Sequence, residues 1–411
     1  MQGFPFSAKA RAARPQPIGE LMARGNAADA ISLAAGLVDS ETLPVEEIAA
    51  AFQEFARERG RLALQYGTTE GLMSLRTKIL ARLERTDGPA ARAVGVDRVI
   101  LSTGSQQLLY MLTEIMVDPG DIVITAAPSY FVYLGTLENA GAEVVGVPID
   151  GDGMRIDLLE EAIRGIVKSG RGHRLKIIYV TSYFQNPSGV SLSHGRRGQL
   201  LCVVKNCDAV RPLIIEDAAY RELAFDGADT PSLWSCDEGG GRVAYLGTFS
   251  KPFSPGLRTG FGVLPAELME KVRIIKCGHD FGSANFTQHL VDFAIERGIY
   301  DRNLRVLRKN YAAKCRAMCQ SLRREMGGIA QWQEPLGGLY VWVDLPGIDT
   351  GPESEFFARC AREGVLYVPG EFCYSVKKSA PTSRIRLSFA PTPVRDIEEG
   401  VARLGRAARG V

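Results

Sequence analysis

TFSKPFSPGLRTGF, Thr248 to Phe261, sets one lysine, Lys251, after a short apolar strand among hydroxyls, Gly and Pro, with Arg258 seven residues later. A surface lysine needs no such setting. The stretch is entered from RVAYLGT and left through LRTGFGVLP, both of which read as strands, so Lys251 stands at the end of a strand and not within a solvated helix.

Working outward, RVILS, DIVIT, AEVVGVP, LKIIYVTS and PLIIED read as further strands between about residues 98 and 265. QQLLYMLTEIMV, FVYLGTLENAG, IDLLEEAIRGIVK and RGQLLCVVKNC read as the helices between them. Near-continuous apolar strands alternating with helices predict a mostly parallel sheet covered on both faces, with its ligand site beyond the carboxyl ends of the strands. From Pro44 to Leu83 the chain reads as helical, interrupted by QYGTTEG; a charged helix is expected over Tyr300 to Met326, then strands at GGLYVWVDLP, GVLYVP and RIRLSFA, and a last helix from Val394. The fold class is therefore α/β: a large domain on the parallel sheet, plus a smaller α+β domain built from the N- and C-terminal segments. The expected boundaries are 1–44 for the arm and part of the small domain, 45–298 for the large domain and 299–411 for the remainder.

The strand ends carry the chemistry. VILSTGSQQLL runs strand, small-residue turn, helix, so the amides of Gly104, Ser105 and Gln106 stand at a helix N-terminus, as a structural cap or as a phosphate site. PSYFVY puts Tyr130 at a strand end, where an aromatic alone reads as core. In YFQNPSG, Asn186 before Pro alone reads as turn chemistry. LIIEDAAYREL ends a strand in two carboxylates, a solvated end or helix cap on one reading, whereas on the other Asp217 and Tyr220 lie where the sheet rule puts ligands. Taken with Lys251, the set matches what one cofactor requires. Pyridoxal phosphate needs a lysine for its Schiff base, an acid at the pyridinium nitrogen, a donor to the ring phenolate, an aromatic on the ring and a phosphate cup.

Composition excludes several other classes. The 411 residues carry 49 Lys+Arg against 47 Asp+Glu, a net charge of +2, which favours neither nucleic acid nor an anionic membrane. No apolar run approaches a membrane span, and the eight cysteines form no CxxC pair. With four histidines and no HExxH, no metal site is expected, and the thiols read as reduced, mostly buried residues of a cytoplasmic protein. GxxxxGK[ST] and GxGxxG are absent. The basic start, MQGFPFSAKARAARPQP, is read as an arm leading into a helix at Ile18 to Arg24, because its basic run is too short for a transit peptide.

ISLAAGL, LQYGTTEG, STGSQQ, APSY, QNPSG, EDAAY, TFSKPFSPGLRTGF, GGLYVW and RIRLSFA follow one another from residue 31 to 390. In these pieces and their order the chain resembles the fold-type I pyridoxal-phosphate aminotransferases of class I/II, nearest the 2-aminoadipate/kynurenine branch. The resemblance implies an amino-group transfer from an L-amino acid to a 2-oxo acid such as 2-oxoglutarate, by a ping-pong mechanism. Lys251 would bond the cofactor and move the α-proton. Thr248, Ser250 and Arg258 would join Gly104, Ser105 and Gln106 on the phosphate, with Asp217 at the pyridine nitrogen, Asn186 and Tyr220 at the phenolic oxygen and Tyr130 on the ring face. Arg386 would take the substrate α-carboxylate, beside Asn186 and the covering loop at Gly36, and Tyr66 would reach the phosphate of a partner subunit in a homodimer with shared sites. Val38 departs from the nearest relatives, which usually carry Pro after that Leu.

Side-chain selectivity stays open at this level. Arg11 and Arg14 either close over the site or remain solvated, and Tyr133, Phe184 and Tyr374 either line an aromatic-tolerant pocket or pack. The same Lys251 would also serve a β-lyase, which product analysis separates from transfer. A ligand sensor fused to a winged helix is the reading from another class, and no such extension or basic recognition helix is expected here.

Overall fold

The computed structural model describes residues 4–15, 30–207, 209–237, 241–376 and 380–410; the helix expected at Ile18 to Arg24 lies outside them. A short strand β1, Ile31–Ser32, precedes the central sheet, whose members are β2 (Val99–Ser102), β3 (Ile122–Ala127), β4 (Glu143–Asp150), β5 (Gly153–Met154), β6 (Leu175–Thr181), β7 (Leu213–Asp217), β8 (Val243–Thr248) and β9 (Gly260–Val263). Their spatial order is β2-β9-β8-β7-β6-β3-β4-β5. Strands β8, β7, β6, β3 and β4 pair in parallel, while β9 runs antiparallel between β2 and β8.

Alternation along these strands explains why they form a doubly covered sheet. Ile122, Ile124, Ile178, Val180, Ile214, Val243 and Tyr245 pack in the core on one face. Val123, Ile177, Tyr179, Leu213, Ile215, Ala244 and Leu246 pack in a second core on the other. Full burial of each Ile or Val contributes roughly 1.5–3 kcal/mol, so a one-residue slip would be costly on both faces at once. The parallel strands point one way, and their carboxyl ends carry Tyr130, Asn186, Asp217 and Lys251 to a common edge. Because β9 is antiparallel, its first residue, Gly260, brings Arg258 to that same edge.

The expected helices are present at Ser105–Met116, Phe131–Asn139, Ile156–Lys168, His194–Lys205, Ile299–Met326 and Val394–Arg409. Further helices that were not anticipated include Ala266–Asp280, Asn285–Glu296 and Glu355–Arg362. The first buries Leu268, Met269 and Val272, but it also buries Lys276 while exposing Ile274 and Ile275, and no side-chain cap marks its start.

The smaller unit holds an antiparallel sheet of β10 (Gln331–Trp332), β11 (Tyr340–Asp344), β13 (Val368–Pro369) and β14 (Arg384–Ser388) in the order β10-β11-β14-β13. β12 (Val365–Leu366) instead pairs in parallel with β1, which ties the N-terminal segment to the C-terminal one and divides GVLYVP between two sheets. Four cysteines, Cys315, Cys319, Cys360 and Cys373, are buried, but Cys202 and Cys277 are exposed, so the expectation of mostly buried thiols holds for half of them. Among the described residues no helix is long and apolar enough to cross a membrane.

Candidate active site

At the edge shared by β2, β3, β6, β7 and β8 lies a cleft of about 660 Å³, its open mouth included. Gly104, Ser105, Gln106, Thr248, Ser250 and Arg258 line one end, and Tyr130, Asn186, Asp217, Tyr220 and Lys251 line the remainder. Every residue expected to hold the cofactor therefore meets at one place, except Tyr66. That ring is 85% exposed, set edge-on against Phe281 at 5.9 Å, away from the cleft of its own chain.

The phosphate-like end is built by two close backbone approaches. Gly104 adopts φ +70°, and a Cβ there would lie 2.7 Å from the Arg258 guanidinium. A Cβ on Gly260 would come within 2.5 Å of the Gly104 carbonyl carbon and the Ser105 nitrogen, so β9 presses directly on the turn before the helix. Arg258 itself sits in the left-handed region at φ +47° and donates to Ser250 Oγ at 3.2 Å, and Ser250 N donates to Thr248 Oγ1 at 3.1 Å. Gly260→Ala is expected to destabilise the protein by about 1–3 kcal/mol and to weaken cofactor binding as well. Urea unfolding and a cofactor titration check this, and a neutral result in both would contradict the close approach.

The two carboxylates of LIIED separate because successive strand residues face opposite ways. Glu216 accepts from Leu233 N at 2.9 Å and Trp234 N at 2.7 Å, capping the short helix Leu233–Cys236. Asp217 turns to the other face and into the cleft, accepting from Tyr179 Oη at 2.9 Å and Ala219 N at 3.1 Å. Burial pushes the Asp217 carboxyl above the usual carboxylate range, opposed by those two donors. Among the described residues no cation pairs with it. Tyr179 was missed from the sequence, since a tyrosine in an apolar strand reads as core; only the pairing of Thr181 with Asp217 sets its hydroxyl beside the acid.

Arg386 is the converse case. It is 1% exposed, donates to Asn186 Oδ1 at 2.9 Å and to the Ala34 carbonyl at 2.6 Å, and lies between the rings of Tyr340 and Phe131 at 4.3 and 5.2 Å. Its Nε has no partner, and no carboxylate of the described residues faces it. Lys251 Nζ donates to the Gly36 carbonyl at 2.9 Å, so the covering loop and the lysine also meet. Val38 is buried, while Leu37 beside Gly36 is exposed. Asp39 anchors the loop through Lys314 at 3.0 Å.

Other candidates fall outside the cleft. Tyr133 is fully buried, packs on Tyr179 at 4.5 Å and bonds Thr113, so it packs and lines no pocket. Phe184 lies against Gly337 and Gly338, and burial pushes the half-buried Tyr374 to about 12. Arg11 is exposed, and the arm lies along the outer helices through Lys9–Glu114 at 2.6 Å and Arg14 N to Asn139 at 2.9 Å. A second cavity behind Ala218 and Ala219 contains Arg221 and Arg82, but Asp87 and Asp229 pair the first, and Glu222 and Asp301 the second.

The cleft thus holds a buried acid lacking a cation, a half-buried amine, and at the far end an arginine with hydroxyls and helix-start amides. That donor set fits pyridoxal phosphate: a pyridinium for Asp217, an aldehyde for Lys251 and a phosphate for the Arg258 end.

Comparison with known proteins agrees. The family described as aminotransferase class I and II matches residues 28–404. An aromatic-amino-acid aminotransferase of Thermococcus litoralis is 36% identical over 98% of this chain and 94% of its own length. The crystal structure of a Pyrococcus horikoshii kynurenine aminotransferase superposes with a TM-score of 0.91 at 32% identity, covering 99% of this chain and 97% of that one. An α-aminoadipate aminotransferase from Thermus thermophilus, complexed with N-(5'-phosphopyridoxyl)-L-leucine, gives 0.85 at 33% identity over 98% and 97%. This chain belongs to the class I and II aminotransferases, and it is a pyridoxal-phosphate enzyme that transfers amino groups.

Proposed function

We propose that the chain moves the amino group of an L-amino acid to 2-oxoglutarate in two half-reactions at this one cleft. The observation that carries the reading is Arg386, a buried cation with a free Nε and no carboxylate, which a substrate α-carboxylate would satisfy as a planar pair. Asn186 and the Gly36 loop complete that subsite. The bound cofactor supplies an electron-withdrawing ring that stabilises negative charge at the substrate Cα. Asp217, held by Tyr179, would keep the ring nitrogen protonated. Asn186 and Tyr220 would hydrogen-bond the phenolic oxygen, and Tyr130 would support the ring. Gly104, Ser105, Gln106, Thr248, Ser250 and Arg258 would grip the phosphate, and the Lys251 amine would accept and return the substrate α-proton.

The relatives named above for aromatic amino acids, kynurenine and α-aminoadipate define the donor classes to try first. We assign residues 45–298 to the cofactor-binding domain, with 1–44 and 299–411 forming the smaller one, in a cytoplasmic homodimer. Exposed Leu62, Leu64, Tyr66 and Phe281 support a second copy on that face, with Tyr66 reaching the partner's phosphate. The test is the absorption spectrum of the protein with pyridoxal phosphate before and after L-glutamate, L-2-aminoadipate, L-phenylalanine and L-leucine. Conversion to the pyridoxamine form, reversed by 2-oxoglutarate, supports the proposal; pyruvate and ammonia from a cysteine-type substrate in its place would establish elimination. Arg386→Lys is expected to raise KM for amino and oxo acids about 100-fold, because lysine cannot form the bidentate pair. An unchanged KM for every substrate removes Arg386 from that role.

A further inference from the structure

The turn that holds the phosphate end is itself held by a polar chain that reaches it from the helix Ala266–Asp280. Gln107, third residue of the helix Ser105–Met116, turns back so that its Oε1 accepts from Thr103 N at 2.8 Å. Its Nε2 donates to Asp280 Oδ2 at 2.8 Å. Asp280 in turn accepts from Lys276 Nζ at 2.7 and 2.8 Å, and Lys276, 0% exposed, also donates to Ser283 Oγ at 2.9 Å. From there Ser283 O accepts from Gln288 Nε2 at 2.9 Å, and Gln288 Oε1 accepts from Leu72 N at 2.8 Å. The next residue after Asp280, Phe281, accepts from Thr69 Oγ1 at 2.7 Å and carries the ring packed on Tyr66.

Burial of the Lys276 ammonium is compensated by its pairing with Asp280 and Ser283, which fixes the Asp280 carboxylate against Gln107. Resting on the cofactor reading above, we propose that Asp280, through Gln107, is the positioning residue of the phosphate site. Gln107 takes the Thr103 N–H, so Ser105 and Gln106 keep their amides for the phosphate. Asp280 orients the Gln107 amide, and Lys276 balances the Asp280 charge, so the amide is fixed without net negative charge beside an anion. The same turn touches the loop of Tyr66, so one element sets both the phosphate end of this cleft and the residue directed at a second copy.

The experiment titrates full-length cofactor-free protein with pyridoxal phosphate and, separately, with pyridoxal, which lacks the phosphate. Asp280→Asn and Gln107→Leu are each expected to weaken pyridoxal phosphate about tenfold and leave pyridoxal unchanged, with the double variant no worse than the weaker single. Equal losses for both aldehydes, additive losses, or no loss would overturn the proposal. Should Asp280→Asn fail to fold, the half-exposed Gln107→Leu against Gln107→Glu carries the same comparison. Wild-type protein that binds neither aldehyde would instead refute the cofactor reading, so the two failures are distinguishable.

Discussion

Lys251→Ala is expected to lower kcat by about 10⁴-fold while leaving pyridoxal phosphate bound, because the phosphate contacts of Arg258, Ser250 and the helix start do not involve the lysine. Lys251 is the only lysine lining the cleft among the described residues, so its loss removes the amine that would move the α-proton. In the cofactor-free protein the Gly36 carbonyl also loses its donor at 2.9 Å, so the covering loop should loosen there, a second effect read as faster proteolysis near Gly36. Single-turnover kinetics with the best donor is the measurement. Transamination at the wild-type rate would remove Lys251 from the mechanism.

Asp217→Asn is expected to have the next largest effect, a loss of roughly 10³-fold in kcat, since an amide cannot hold the ring nitrogen protonated. The same change has the opposite sign for the cofactor-free protein. Burial raises the Asp217 pKa in the folded state, so its contribution to stability is greatest below the ordinary carboxylate value and is lost as pH rises through the raised one. Asparagine does not titrate. Cofactor-free Asp217→Asn should therefore gain on cofactor-free wild type as pH climbs from the ordinary carboxylate range upward. Urea melts across that range test the sign, and a gap that stays constant with pH would show that Asp217 titrates as in the unfolded chain. With cofactor bound the order should reverse, because the pyridinium supplies the charge that Asp217 lacks.

These two residues were legible in the sequence for different reasons. Lys251 announced itself through a setting no surface lysine needs. Asp217 was one of two adjacent acids, and only the period-two alternation of β7 separates it from Glu216, which caps a helix on the other face. Tyr179 was not legible, because its hydroxyl reaches Asp217 across a strand register that no local pattern encodes. The helix Ala266–Asp280 was missed because Lys276 shares its buried face with Leu268, Met269 and Val272 while Ile274 and Ile275 are exposed, which blurs the signal on which helix recognition depends. Gly260 reads as an ordinary strand residue until β9 is seen against the Gly104 turn.

By itself the sequence determined the parallel α/β sheet and the order of the chemical groups along its strand ends, because both follow from contacts between residues near in the chain: apolar alternation, turn residues and helix starts. The tertiary structure alone decided which buried charges are left without partners. Arg221 finds Asp87 from more than a hundred residues away, whereas Arg386 and Asp217 find no opposite charge among the described residues. Charge pairing in the interior is set by distance in space and desolvation, neither of which is written in chain separation, and it is this missing pairing that marks where a carboxylate and a pyridinium belong.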